Sequence, residues 1–120
     1  MISEIEDDTI SILRNDDESD FLTVSTEYLN NLSSGKWNFE SLTDPRETIV
    51  KIKEHAFDII ISDYQMPHLN GLEVLAEIRD QGCNIPFIML TGRGREEIAI
   101  KALNLGANYY IKKRFDVKGQ

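Results

Sequence analysis

The chain has 120 residues, enough for one domain, and 41% of them are hydrophobic, which supplies a core and excludes a disordered segment. The net charge of −8 argues against direct nucleic-acid binding, which needs positive charge to displace counterions. No apolar run approaches the roughly 20 residues of a membrane span, no secretory leader is visible after Met1, and the lone Cys83 has no internal disulfide partner, so a reducing, cytoplasmic setting is expected.

After a polar, acidic lead-in from Met1 to Asp8, Ile10, Ile12 and Leu13 mark a first strand over Thr9–Leu13, interrupted by Arg14 and Asn15. From Ser19 to Leu32, Phe21, Val24, Tyr28 and Leu32 recur at helical spacing, with Leu22 and Leu29 beside them, and Ser33-Ser34-Gly35 ends that helix. Trp37–Leu42 alternates, as a half-exposed strand at a sheet edge does. Asp44 as cap, Pro45 at the first helical position and Glu47 closing a capping box predict a second helix, with Ile49, Val50, Ile52 and Ala56 as its apolar face.

Asp58–Asp63 is a short apolar run ending in aspartate, with Pro67 and Gly71 soon after. Such a run is a strand buried on both faces, as in a parallel sheet. A helix over Leu72–Asp80 with Leu72, Leu75, Ala76 and Ile78 inward, a strand over Ile85–Leu90, a helix over Arg95–Leu105 capped by Gly106, and a fifth strand at Tyr109–Lys112 complete the alternation. The order βαβαβαβαβ predicts an α/β fold with a doubly wound, five-stranded parallel sheet and right-handed crossovers.

Parallel strands bring their carboxyl ends to one edge, where ligands bind. Asp16 and Asp17 follow strand one, Asp63 ends strand three, Thr91 follows strand four and Lys113 follows strand five. Clustered carboxylates raise one another's pKa unless a cation intervenes, and hard oxygen ligands suit Mg²⁺. A lysine and a hydroxyl beside one of those carboxylates complete a phosphoryl site with Asp63 as the acceptor.

These residues resemble the response-regulator receiver domain, the phosphoacceptor module of two-component signalling. Asn15-Asp16-Asp17-Glu18-Ser19 is similar to that family's acidic pair, Ser62–Gly71 to its phosphorylation loop with Met66-Pro67 and Gly71, Phe87–Gly92 to the strand ending in the switch Ser/Thr, and Gly106–Lys113 to the stretch leading to its lysine. The resemblance covers about Ile10 to Lys113, makes residues 1–120 a single receiver domain with a core near 10–113, and implies a flavodoxin-like sheet of order 2-1-3-4-5. It implies that Asp63 takes a phosphoryl group from the phosphohistidine of a sensor histidine kinase or phosphotransfer protein. Asp17, Asp63 and the Gln65 carbonyl would bind Mg²⁺, with Asp16 holding metal-bound water. Thr91 and Lys113 would contact the phosphoryl oxygens, Tyr110 would be the switch aromatic moving inward as Thr91 engages, and the small Gly92 would leave room for access. The chain would then be a signalling domain rather than an enzyme, catalysing only its own phosphorylation and dephosphorylation.

Three departures stand out. Arg14 and Asn15 occupy the end of a strand that is ordinarily apolar; the easier outcomes are an Arg14 that snorkels to solvent or a strand that ends early, and the sharper one is an Arg14 that reaches the acidic pocket and weakens Mg²⁺ binding. Arg114 stands where the family has a proline after the lysine, so a trans peptide is expected there, a non-proline cis bond costing about 2.5–4 kcal/mol. Phe115–Gln120 is too short and polar for a fifth helix, so the chain is expected to stop short of a longer one, exposing apolar surface near Ile10, Ile12 and the first helix and favouring self-association.

Other readings carry less. Apart from the resemblance, Tyr110 reads equally as a core or a surface aromatic, and His55 and His68 lack ligand spacing. Thr91-Gly92-Arg93-Gly94-Arg95 lacks the ending of a phosphate loop. Gln65 and Arg93 lie where side chains influence hydrolysis of an acyl phosphate. A phosphatase would need an acid where Gln65 stands, and a nucleotide-binding protein a glycine-rich rather than acidic first loop. The main alternative is a degenerate receiver acting as a phosphorylation-independent binding module.

Overall fold

The structure, a computed structural model, describes residues 9–92 and 96–113. In chain order these form β1 (Ile10–Asn15), α1 (Ser19–Leu32), β2 (Trp37–Leu42), α2 (Pro45–Glu54), β3 (Ile59–Asp63), α3 (Gly71–Asp80), β4 (Phe87–Thr91), α4 (Glu96–Asn104) and β5 (Tyr109–Lys112). The strands make one sheet in the order β2-β1-β3-β4-β5, and every neighbouring pair is parallel. The alternating strand Trp37–Leu42 lies at the edge, as its half-exposed pattern requires. The predicted run through Arg95 falls partly outside the described residues.

The core lies on one side of the sheet. Leu13, Ile60, Phe87 and Met89 from the strands pack against Val74, Leu75 and Ile78 of α3 and Ala102 of α4. Helix α3 starts where it does because Asn70 caps it in a reciprocal box: the Glu73 N–H donates to Asn70 Oδ1 at 2.9 Å and the Asn70 N–H to Glu73 Oε1 at 2.8 Å. At α2, Asp44 caps as expected, but its side-chain partner is Arg46 rather than Glu47. The face α2 turns inward carries Pro45 and Thr48, while Val50 is exposed.

Strand β1 runs through Arg14 and Asn15 rather than ending at Leu13. It is paired on both sides, Arg14 lying opposite Ser41 and Ile61 and Asn15 opposite Leu42 and Ser62, so the two ladders hold the polar residues in the strand. Strand β4 begins at Phe87, after Pro86, whose carbonyl accepts from the Ile60 N–H at 2.9 Å.

Arg14 does not snorkel to solvent. It is 2% exposed, and its Nη1 donates to Ser25 Oγ and Thr26 Oγ1, both at 2.7 Å. This corrects the expected face of α1. A buried guanidinium needs acceptors, so the turn carrying Ser25 and Thr26 faces the sheet and Leu22 is buried beside it, while Val24 and Tyr28 are 64% exposed and Leu32 62%. Ile12, expected in an exposed patch, is buried. Exposure on this side of the sheet instead rises along the row Arg14–Ile61–Ile88–Tyr109, from the buried arginine to a tyrosine 64% exposed.

Three variants test these packings. A Cβ on Gly71 would stand 2.5 Å from both the Asp63 carbonyl oxygen and Met89 Sδ, so Gly71→Ala should lower stability by roughly 1–3 kcal/mol, read by urea denaturation. Ser25→Ala combined with Thr26→Val strips the buried guanidinium of both hydroxyls and should cost roughly 1.5–3 kcal/mol. Arg14→Met, which removes the charge together with its need for partners, should cost less.

Candidate functional site

The carboxyl ends of the strands meet at one rim of the sheet. At the end of β1, the Asp16 N–H donates to the Leu42 carbonyl at 3.0 Å, and Asp16 Oδ1 accepts from the Glu18 N–H at 3.0 Å, which fixes the carboxylate as the chain turns into α1. At the end of β3, Asp63 Oδ1 accepts from the Tyr64 N–H at 2.8 Å. The following loop is closed by the Gly71 N–H donating to the Tyr64 carbonyl at 2.7 Å, an approach that the absence of a Cβ permits. The Lys113 N–H donates to the Thr91 carbonyl at 2.6 Å, so β4 sets where the lysine leaves β5.

Asp16, Asp17 and Asp63 each present an oxygen within 4.8 Å of the others; Asp16 and Asp63 are buried and Asp17 is exposed. Lys113 Nζ lies 2.9 Å from Asp16 Oδ2, 3.4 Å from Asp63 Oδ2 and 3.2 Å from Glu18 Oε1. Beside this cluster, Asp17, Tyr64, Gln65, Met66, Pro67 and Asn70 line an open depression of about 430 Å³.

Burial first, and then the charge of Asp16, push the Asp63 carboxyl up to about 6, against the opposing pull of Lys113 and the Tyr64 N–H. Burial works against the Lys113 ammonium, yet Asp16, Asp63 and Glu18 hold it above its ordinary value. Two buried carboxylates and one at the surface thus carry more negative charge than the lysine offsets. Oxygen donors at this spacing, with one side open, suit a hard divalent cation such as Mg²⁺.

Thr91 is buried at the end of β4, one residue past Leu90, the register partner of Asp63. Tyr110 pairs with Met89, and its hydroxyl is already buried, without a hydrogen-bond partner. Gly92, His55 and His68 are exposed. Arg14 does not reach into the acidic pocket. Its hydrogen bonds run to α1, and burial lowers its pKa while the Asp16 charge raises it. Arg93 and the peptide between Lys113 and Arg114 lie outside the described residues.

Sequence reading missed Glu18 and Phe21. Glu18 is the third carboxylate on Lys113, and the Phe21 ring centroid lies 4.3 Å from Lys113 Nζ. Glu18 directly follows the acidic pair, which was a usable signal, whereas Phe21 looked like one more apolar helix position. Asn15 was legible only as an oddity; its Nδ2 donates to Thr48 Oγ1 at 2.5 Å and ties β1 to α2.

A carboxyl whose pKa is raised by folding favours the fold in its neutral form. That stability is complete below the unfolded value of 3.8 and is lost as the pH rises through about 6. Asp63→Asn should therefore raise the melting temperature at pH 7–8 without Mg²⁺, and the difference from the parent should shrink as the pH falls toward 4. Thermal unfolding across this range checks the sign.

The family model described as "Response regulator receiver domain" matches residues 12–119. Response regulator SaeR of Staphylococcus aureus (strain USA300) is 34% identical over 100 residues, covering 83% of this chain and 42% of that protein. The chain thus spans about two fifths of the length of the curated relatives it matches. Among solved structures, the signal receiver domain of the putative response regulator NarL from Mycobacterium tuberculosis superposes with a TM-score of 0.78 at 25% identity, covering 89% of this chain and 86% of that one. Response regulator TrrA from Thermotoga maritima, solved in complex with Mg²⁺-BeF, gives 0.76 at 25% identity and 92% of each chain. With that match spanning nearly every strand and helix described above, the chain belongs to the response regulator receiver domain family, the flavodoxin-like signalling domain of two-component systems.

Proposed function

We propose that this receiver domain accepts a phosphoryl group on Asp63 from the phosphohistidine of a sensor histidine kinase or phosphotransfer protein. The observation that carries the reading is the convergence of Asp16, Asp17 and Asp63 within 4.8 Å, with Lys113 on two of them. A carboxylate oxygen of Asp63 forms the new bond to phosphorus. The phosphorus–nitrogen bond to the donor imidazole breaks, and the electron pair leaves with the ring. Asp63 lies under the rim of the sheet, 6% exposed, so few water molecules compete with the donor.

Lys113, already against Asp63, carries positive charge to the oxygens of the transferring group. Thr91 gives its hydroxyl to one of those oxygens. Asp17, Asp63 and the main-chain carbonyl of Gln65 would hold Mg²⁺, with Asp16 acting on it indirectly, through water. When bound, the ion offsets the surplus carboxylate charge and the charge on the phosphoryl oxygens. Hydrolysis of the acyl phosphate by water at the same site resets Asp63, and Gln65 stands where it borders that water's approach.

Output is a population shift. Thr91 ends β4, and Tyr110 lies on the neighbouring β5 opposite Met89, two residues before Thr91, so engagement of the hydroxyl by a phosphoryl group favours one packing of α4 and β5 over another. The buried, unpartnered Tyr110 hydroxyl is consistent with an aromatic that has two settings. The full acceptor set supports this reading over a phosphorylation-independent binding module.

Incubation with acetyl phosphate and Mg²⁺ should add the mass of one phosphoryl group, about 80 Da, to the parent and none to Asp63→Asn or to a sample with excess chelator. Intact mass spectrometry reads the result. A folded parent that gains nothing and binds no Mg²⁺ points instead to the binding module.

A further inference from the structure

We propose that Phe21 is a positioning residue for Lys113, its ring holding the ammonium between Asp16 and Asp63. The proposal rests on the reading of Asp63 as the phosphoryl acceptor. A lysine on four methylenes is a poorly fixed point charge, with about 2 kcal/mol of rotamer entropy to lose. Here three carboxylates compete for it, at 2.9, 3.2 and 3.4 Å, and the nearer two belong to Asp16 and Glu18 rather than to Asp63. Electrostatics alone would draw the ammonium toward those two and away from the acceptor. No proline follows to fix the backbone, the next residue being Arg114.

The Phe21 ring supplies what is missing. Lys113 Nζ lies over its face, 4.3 Å from the centroid, inside the range of an attractive cation–π contact. The lysine side chain is 9% exposed, so the contact is largely desolvated, where such interactions are strongest. Asp16, Asp63 and the ring are three separate points of attachment for one ammonium, which together define its place better than any two.

Phe21 is itself held. Ser25 Oγ donates to the Phe21 carbonyl at 2.5 Å, Arg14 Nη1 donates to the same hydroxyl at 2.7 Å, and the Arg14 guanidinium carbon lies 5.7 Å from the Phe21 ring centroid. The buried arginine of β1 thus fixes the turn of α1 that presents the ring. Arg14, the residue that looked most foreign to the site, acts on it through Phe21 and not through the acidic pocket.

The test compares the parent with Phe21→Leu, which keeps an apolar side chain without a ring, and Phe21→Tyr, which restores the ring. In NMR spectra of the unphosphorylated chain, the Lys113 ε-methylene protons should be shifted upfield by the ring, revert in Phe21→Leu and return in Phe21→Tyr. The rate of phosphorylation by acetyl phosphate should fall about three- to thirty-fold in Phe21→Leu and recover in Phe21→Tyr, the range expected for loss of one partly to fully desolvated cation–π contact. Mg²⁺ affinity, measured by calorimetry, should stay within about twofold, because a phenyl ring offers no ligand atom and both variants keep every proposed metal ligand. Equal loss in both variants would reduce Phe21 to a packing residue and overturn the proposal, as would unshifted Lys113 protons in the parent or an unchanged rate in Phe21→Leu. A parent that takes up no phosphoryl group overturns the functional reading instead, and the Lys113 shifts still decide whether Phe21 holds the ammonium.

Discussion

The arrangement depends on one costly act, the burial of Asp16 and Asp63 side by side at the rim of a parallel sheet. Two ionised carboxylates in such a place repel and are poorly solvated. Asp63 answers by giving up part of its acidity, its pKa pushed up to about 6. The Lys113 ammonium answers the rest, since it touches both. Everything else at the rim serves to bring that ammonium there. The Thr91 carbonyl fixes the Lys113 backbone, the loop through Tyr64 and Gly71 closes over Asp63, and the Glu18 N–H fixes Asp16. Gly71 has no freedom in this scheme, because its missing Cβ is what lets the loop pass the Asp63 carbonyl.

A second buried charge organises the other side of the sheet. Arg14 occupies a strand position where an apolar side chain would have needed only packing. Its guanidinium needs acceptors, and α1 offers them through the hydroxyls of Ser25 and Thr26. Meeting that need turns Val24, Tyr28 and Leu32 outward. The helix therefore trades part of its apolar face for a polar anchor. A buried polar contact of this kind adds little to stability and fixes orientation more firmly.

This division marks what was legible in the sequence. The elements could be read because apolar period, turn residues and caps all acted locally, as with Pro45 after Asp44 or the apolar run into Asp63. The convergence of Asp16, Asp17, Asp63, Thr91 and Lys113 could be read because parallel strands put their carboxyl ends on one edge whatever the side chains do. Arg14 defeated the same logic. Solvent was the cheaper destination for a charge, and nothing local revealed that two hydroxyls more than ten positions away would take it instead. The apolar spacing of α1 misled for a related reason, since it counted Val24 and Tyr28 but could not weigh a charge beneath the helix. Phe21 was visible as a hydrophobe and not as a neighbour of Lys113, 92 positions on, because that contact depends on where two side chains point.

Among the described residues, the buried side-chain polar atoms without a hydrogen-bond partner are Arg14 Nε, Asn15 Oδ1, Asp16 Oδ2 and Tyr110 OH. Three sit in consecutive positions at the end of β1, and the fourth sits on β5, on a tyrosine packed against the apolar core. Asp16 Oδ2 is the exception among them, since the Lys113 ammonium stands 2.9 Å away. A domain selected only for stability would not leave the other three, since each costs roughly 1–3 kcal/mol when buried unpaired. At the acidic rim itself, two buried carboxylates side by side, one of them pushed up to about 6, describe a resting state in which local stability has been given up at one place. A cation arriving there would meet carboxylates whose combined charge the one lysine does not offset. Binding would then relieve a cost rather than disrupt a settled arrangement, which is the energetic condition for a small chemical event at Asp63 to shift the balance between two packings of the strands and helices around it.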